Sequence, residues 1–330
     1  MRPLAYARAE RVADAVADAA VEGTTLLAGG TELLNWLRLG VVAPDRLLDV
    51  SRIPELARIA PLPDGGLRIG AAVTLHDAAA DARVAEGWPV LREAIHLSAS
   101  AQIRNRATLG GNLLQKTRCP YFRSEDPVAC NRRAPGSGCS AHEGFNANHA
   151  IFGWSEACIA THPSDPAVAL AALDARVVVA GPDGGRTIPV RDFHVLPTEA
   201  VADSVLAPGE LIVALELPAP APASAYVKVR ERQSYEYALV SAGVALALDG
   251  GTIRHARVAL GSVAMRPWRL DSAEQTLVGL APDAPEVEVA LEVALADARP
   301  LAQNGYKIPL ARNAALRALR IAAGLEERVA

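Results

Sequence analysis

Aromatic residues are scarce in this 330-residue chain, at 4% of the total, and there are only two methionines and four cysteines. So few cysteines cannot staple a disulfide-dense scaffold. Net charge is also small: 33 Lys and Arg against 37 Asp and Glu leave −4, which argues against a nucleic-acid binder. No apolar run reaches the roughly 18 residues of a membrane span. Met1, Arg2 and Pro3 do not open the apolar stretch of an export signal. The chain therefore reads as soluble, with no membrane span and no signal of its own. Hydrophobic residues still make up 51%, enough for a sizeable core, and the length favours two or three domains.

The scarce residues are not spread evenly. Cys119, Cys130, Cys139 and Cys158 share one window, and three of the four phenylalanines, Phe122, Phe145 and Phe152, lie in or beside it with Tyr121 and Trp154. That grouping predicts an apolar shell around whatever the thiols hold.

Patterning divides the chain. Residues 11–20 read as an amphipathic helix, 25–28 as a strand, 32–39 as a helix stopped by Gly40, and 46–50 as a second strand, together a small β-α-β unit. Strands are expected at 67–70, 176–180, 187–190 and 210–217, and helices at 75–82, 90–99 and 167–173. Between 115 and 165 the periodicity disappears for longer than an ordinary connection allows, so that stretch is functional or disordered, and its aromatics argue for order. Pro218, Pro220 and Pro222 mark a domain boundary. Three strands (225–230, 239–248, 253–260) and three helices (272–278, 286–296, 311–323) follow, the order of an α+β domain. The expected domains are 1–55, 56–220 and 221–330.

Chemistry concentrates in three motifs. In Leu26, Leu27, Ala28, Gly29, Gly30, Thr31 and Glu32 a strand turns through two glycines into a helix, which lets backbone N–H groups approach a phosphate. A plain structural turn capped by Thr31 is the competing reading. Thr108, Leu109, Gly110, Gly111 and Asn112 repeat the Gly-Gly pair with side chains able to bond phosphate oxygens, and two such loops suit one pyrophosphate better than either alone. Two unrelated tight turns remain the plainer alternative. The cysteines, separated by 10, 8 and 18 residues, lack the close pairs of a zinc ribbon or bacterial ferredoxin. Four thiolates suit a 4Fe-4S cluster or zinc, and Lys116, Arg118, Arg123, Arg132 and Arg133 would offset their charge. Two disulfides or inert thiols are the alternatives. His142, His149 and His162 lie in the same stretch and receive no catalytic role, and no hydrolase motif stands out.

Taken in order, Ala28-Gly29-Gly30-Thr31-Glu32, Gln102-Ile103-Arg104-Asn105-Arg106 with Thr108-Leu109-Gly110-Gly111-Asn112, and Ser164-Asp165 resemble the FAD-binding subunits of xanthine dehydrogenase-type molybdenum hydroxylases. The likeness covers nearly the whole chain, since Tyr226-Val227-Lys228, Gly261-Ser262-Val263-Ala264 and Asn304-Gly305-Tyr306-Lys307 are similar to that family's C-terminal flavoprotein domain. The cysteine stretch is similar to the flavin subunits of bacterial periplasmic aldehyde oxidoreductases, which carry an additional 4Fe-4S cluster. The resemblance implies an α+β fold: a two-part FAD-binding domain like that of vanillyl-alcohol oxidase, then a domain with a three-stranded antiparallel sheet and helices. It implies that Leu26, Leu27, Ala28, Gly29, Gly30, Thr31, Glu32, Leu33 and Leu34 hold the FAD pyrophosphate, and that Thr108, Gly110, Gly111 and Asn112 complete the clamp. Ser164 belongs to the same set, Asp165 would bind toward the ribityl and ADP part, Leu114 and Ile212 would flank the isoalloxazine, and Lys228 would reach the flavin. Cys119, Cys130, Cys139 and Cys158 would ligate the cluster. Glu32 stands where many relatives have Asp, which leaves the hydrogen bond at that position open.

The chemistry so implied is electron transfer. A large subunit with the molybdenum cofactor oxidises an aldehyde, a small subunit with two 2Fe-2S clusters relays electrons, and FAD passes them to an external acceptor, in a heterotrimer or its dimer. An N-heterocycle such as a purine is the alternative substrate. A zinc-stapled, colourless scaffold and a self-sufficient flavin oxidase are the competing readings. The compartment is periplasmic if the small subunit brings an export signal, and otherwise cytoplasmic.

Overall fold

The computed structural model describes residues 3–198 and 200–328. The N-terminal unit runs β1 (Ala5–Arg8), α1 (Val12–Ala19), β2 (Thr24–Leu27), α2 (Leu33–Arg38) and β3 (Arg46–Asp49). Its three strands form a parallel sheet in the order β1-β3-β2. The sequence reading finds α1, β2, α2 and β3 but misses β1, whose residues are mostly exposed and carry no alternation to read. Central β3 buries Leu47 and Leu48, and Gly40 leaves α2 with φ +63°, the left-handed helix ending that glycine accepts without strain.

The middle part holds β4 (Ile59–Pro61), β5 (Leu67–Gly70), α3 (Leu75–Ala80), α4 (Ala82–Gly87), α5 (Pro89–Leu97), α6 (Ala101–Arg104), α7 (Leu109–Leu113), α8 (Pro120–Arg123), α9 (Asp165–Ala172), β6 (Arg176–Gly181), β7 (Gly184–Pro189) and β8 (Leu211–Leu217). Five antiparallel strands pair in the order β4-β5-β8-β6-β7. Every residue of α9 is buried, as befits a helix apolar on all sides. It forms the spine of the largest core, with α5, α7 and β8 around it. Between α7 and α9 only α8 is regular. The two feet of this excursion meet where Ser164 Oγ donates to Asn112 Oδ1 at 2.6 Å.

The C-terminal part comprises β9 (Ser224–Val229), β10 (Val240–Asp249), β11 (Thr252–Gly261), β12 (Trp268–Arg269), α10 (Asp271–Thr276), α11 (Pro285–Val293) and α12 (Lys307–Ala322). Its antiparallel sheet has four strands, β12-β11-β10-β9, rather than three. The added strand is two residues long, too short to leave a pattern. Helix α12 covers β9 and β10 on one side, while α5 and α9 pack on the other. Arg269 ties the parts together: it is buried, donates twice to Glu274 at 2.6 Å and once to the Ala171 carbonyl at 2.9 Å. Among the described residues no helix is long and apolar enough to cross a membrane.

Candidate functional site

Strand β2 aims the first Gly-Gly loop at the middle part. Beyond Leu27 the chain turns through Gly29 and Gly30, the latter at φ +76°, and enters α2. The N–H groups of Gly29, Gly30, Thr31 and Glu32 find no acceptor among the described residues. They are the unpaired donors at the positive start of a helix, the arrangement that receives an anion. Glycine is required at position 29 for a separate reason. A Cβ there would stand 1.9 Å from the Arg106 carbonyl oxygen, so the first loop rests directly on the residues that lead into the second.

The second loop is built differently. Its Gly110 N–H donates to Ala71 O at 3.0 Å, Gly111 N–H to its own cap Thr108 Oγ1 at 3.2 Å, and Asn112 N–H to Thr108 O at 2.8 Å. The clamp is therefore one-sided in its backbone donors, and the second loop's share of it falls to the side chains of Thr108 and Asn112. What the second loop presents is a close-packed wall, with the Asn112 amide Nδ2 left without a protein partner while its oxygen takes the Ser164 hydroxyl.

Two cavities meet at this point. The first is lined by Leu26, Ala28, Gly29, Gly30, Thr31, Glu32 and Leu33, by Thr108, Gly110, Gly111, Asn112 and Leu114, and by Leu211 and Ile212 of β8. The second shares Thr31 and Glu32 and adds Asp165, Lys228, Arg118, Tyr235 and Tyr237. In it the buried Lys228 Nζ donates to Asp165 Oδ2 at 2.8 Å and to Leu97 O at 3.1 Å, and Tyr226 Oη donates to Asp165 Oδ1 at 2.6 Å. Burial, reinforced by that carboxylate, pushes the Tyr226 phenol well above its ordinary value. Leu27, Leu34 and Ser164 line neither cavity, and Leu34 is largely exposed. Leu114 and Ile212 lie in the first cavity and Lys228 and Asp165 in the second. Sequence reasoning missed Trp36, Val50, Leu56, Ala71, Ala72 and Leu206 in the first cavity and Tyr235 and Tyr237 in the second. No motif marks apolar wall residues of this kind.

The cysteine stretch does fold around its thiols. Cys119, Cys130, Cys139 and Cys158 line one small cavity, together with Phe122, Arg132, His149 and Ile159, and none is in a disulfide. Cys130 and Cys139 face each other across an antiparallel bridge. Burial pushes the Cys119 thiol up to about 12 and raises Cys139. Among the described residues no three His, Cys, Asp or Glu side chains converge as ligands of a metal ion, so the structure does not itself form the metal site that the clustering of the thiols and the resemblance lead one to expect. The basic residues are also deployed otherwise than expected. Lys116 and Arg132 both pair with Asp203, Arg118 and Arg123 both pair with Glu32, and Arg133 holds the Phe122 and Ser124 carbonyls. Of the five only Arg132 reaches a thiol, its Nε lying 3.3 Å from Cys158 Sγ. His149 Nε2 lies 3.3 Å from Cys119 Sγ, and burial, reinforced by Lys307, lowers this imidazole to about 4. His162 and His194 lie against each other in the core, their rings tilted by 40° with centroids 3.9 Å apart.

Known proteins share this architecture. Residues 2–220 match the FAD-binding domain in molybdopterin dehydrogenase and residues 225–322 the CO dehydrogenase flavoprotein C-terminal domain. The chain is 43% identical to the aldehyde oxidoreductase FAD-binding subunit of Escherichia coli strain K12, over 94% of this chain and 96% of that one. It is 28% identical to the carbon monoxide dehydrogenase medium chain of Hydrogenophaga pseudoflava, over 90% and 88% respectively. The crystal structure of a Cu,Mo-CO dehydrogenase in its cyanide-inactivated form superposes with a TM-score of 0.77 at 26% identity, covering 99% of this chain and all of that one. The free donors at the first loop, the wall opposite and the two-part match converge: the chain belongs to the xanthine dehydrogenase-type family of FAD-binding oxidoreductase subunits, those of the molybdenum hydroxylases.

Proposed function

We propose that this chain is the electron outlet of a molybdenum-containing aldehyde oxidoreductase. It would receive electrons from the 2Fe-2S clusters of a small subunit, fed by a large subunit holding the molybdenum cofactor, and deliver them to an external acceptor. The observation that carries the reading is the junction at Thr31 and Glu32, where four unpaired N–H groups stand between an apolar cavity and a charged one. A dinucleotide has that shape, with a ring system on each side of a pyrophosphate. The aldehyde rests on the 43% identity to the E. coli subunit.

FAD, when bound, supplies the exchange between one-electron and two-electron carriers. The protein's own groups do the rest. Gly29, Gly30, Thr31 and Glu32 hold the pyrophosphate through their N–H groups, and Leu26, Leu114 and Ile212 keep water from the ring in the first cavity. Lys228, fixed by Asp165, would offer its amino group to the cofactor from the second cavity. Cys119, Cys130, Cys139 and Cys158 hold the additional 4Fe-4S cluster. What supports this reading is that the four thiols line one cavity, and a 4Fe-4S cluster takes one thiolate at each of four irons. The assembly is cytoplasmic unless a signal-bearing small subunit carries it to the periplasm.

The test is a visible spectrum of anaerobically purified protein, with iron, zinc and acid-labile sulfide assayed on the same sample. Flavin bands with about four iron and four sulfide per chain are expected. Flavin with zinc would remove the cluster, and a protein that stays colourless after reconstitution with FAD would remove the electron-transfer reading.

A further inference from the structure

Glu32 is bonded on both carboxylate oxygens to the cysteine stretch. Arg118 Nη2 donates to Oε1, while Arg123 Nη2 at 3.0 Å and Trp36 Nε1 at 2.8 Å donate to Oε2. The two arginines bracket Cys119. Arg118 precedes it directly, and Arg123 ends the short helix α8 that begins on the next residue. The Arg123 guanidinium also takes the Thr117 and Lys116 carbonyls at 2.9 and 3.3 Å, so it holds the backbone leading up to Cys119 as well. At its other end Glu32 supplies one of the four free N–H groups of the first loop. All of these side chains are at least two-thirds buried.

We infer that Glu32 is a positioning residue that couples the two cofactor sites: the thiol site, once loaded, fixes Arg118 and Arg123, and these hold the Glu32 backbone in the geometry that receives the FAD pyrophosphate. This inference rests on the cluster reading above. Coupling between sites is reciprocal in binding free energy, so FAD in its loop also strengthens the hold on iron.

The experiment titrates FAD into the deflavinated full-length chain, with its iron in place and after anaerobic removal by a chelator, in the wild type and in Glu32→Gln. Iron and sulfide are measured on every sample. In the wild type iron removal weakens FAD binding about tenfold, a typical coupling. In Glu32→Gln binding is weaker from the start, and iron removal changes it by less than about twofold, because the linkage is already cut. An equal effect of iron removal in both proteins overturns the inference, as does no effect in a wild type that has lost its iron. Absence of iron from every wild-type preparation instead removes the cluster reading, and the coupling with it. Should the variant fail to fold, the iron that the wild type retains at equilibrium with a competing chelator is measured with and without FAD. More iron retained with FAD supports the coupling, and equal retention overturns it.

Discussion

The two Gly-Gly loops look alike in sequence and do opposite work. In the first, four successive N–H groups at the start of α2 find no acceptor among the described residues. In the second, the N–H groups of Gly110, Gly111 and Asn112 are all consumed inside the protein, by Ala71 O, Thr108 Oγ1 and Thr108 O. The glycines differ accordingly. Gly29 is needed because another loop's carbonyl occupies the place of its side chain, whereas Gly110 is needed because α7 packs tightly on Ala71, whose Cβ would lie 2.8 Å from an added methyl. A Gly-Gly pair marks close approach, and the identity of the approaching partner decides whether the loop binds a ligand or supports one that does.

The largest test of this contrast is Gly29→Ala. The methyl must separate the two loops and so misplace several donors to a charged group; FAD affinity falls by about 100-fold or more, equivalent to about 3 kcal/mol, and isothermal titration of the deflavinated chain reads it. Acid acts next, through the support of the second loop. His194 Nε2 lies 2.8 Å from Leu113 O at the end of α7, and burial lowers this imidazole to about 4. The folded state therefore holds it neutral while the unfolded chain protonates it at its ordinary value of 6.5. Between these values the unfolded state binds more protons, so the stability is present in full above pH 6.5 and is lost as the pH falls toward 4. Urea midpoints across that range should fall for the wild type and fall less for His194→Gln. Gly110→Ala comes third. It overpacks the wall against Ala71 and costs about 1–3 kcal/mol of stability, with FAD affinity changed only a few-fold; a loss of FAD as severe as that of Gly29→Ala would erase the distinction between the loops. Ser164→Ala is the mildest, removing the cap of α9 and the tie to Asn112 for about 1 kcal/mol, seen as a small shift in melting temperature.

Much of this was legible before the fold. Leu26, Ala28, Gly29 and Thr31 sit between a readable strand and a readable helix, and the loop they form lines the first cavity as the motif implies. The one-sided clamp was not legible, because it depends on Ala71 O, supplied by a distant segment that carries no signature. The arginines failed for the same reason. Counted as charges near thiols they look like counter-ions, but Glu32 and Asp203 are far away in sequence and claim three of them together with Lys116. Strands β1 and β12 escaped because one is largely exposed and the other is two residues long.

The bond between Ser164 and Asn112 bears on how the chain folds. Its partners are 52 residues apart, and everything between them leaves from one foot and returns to the other. The entropy of closing such an excursion grows only with the logarithm of its length, about 0.6 kcal/mol for each doubling. Helices α7 and α9 can therefore dock and close the central core before the cysteine stretch is ordered, and that stretch can then mature around its thiols as a late, separable step.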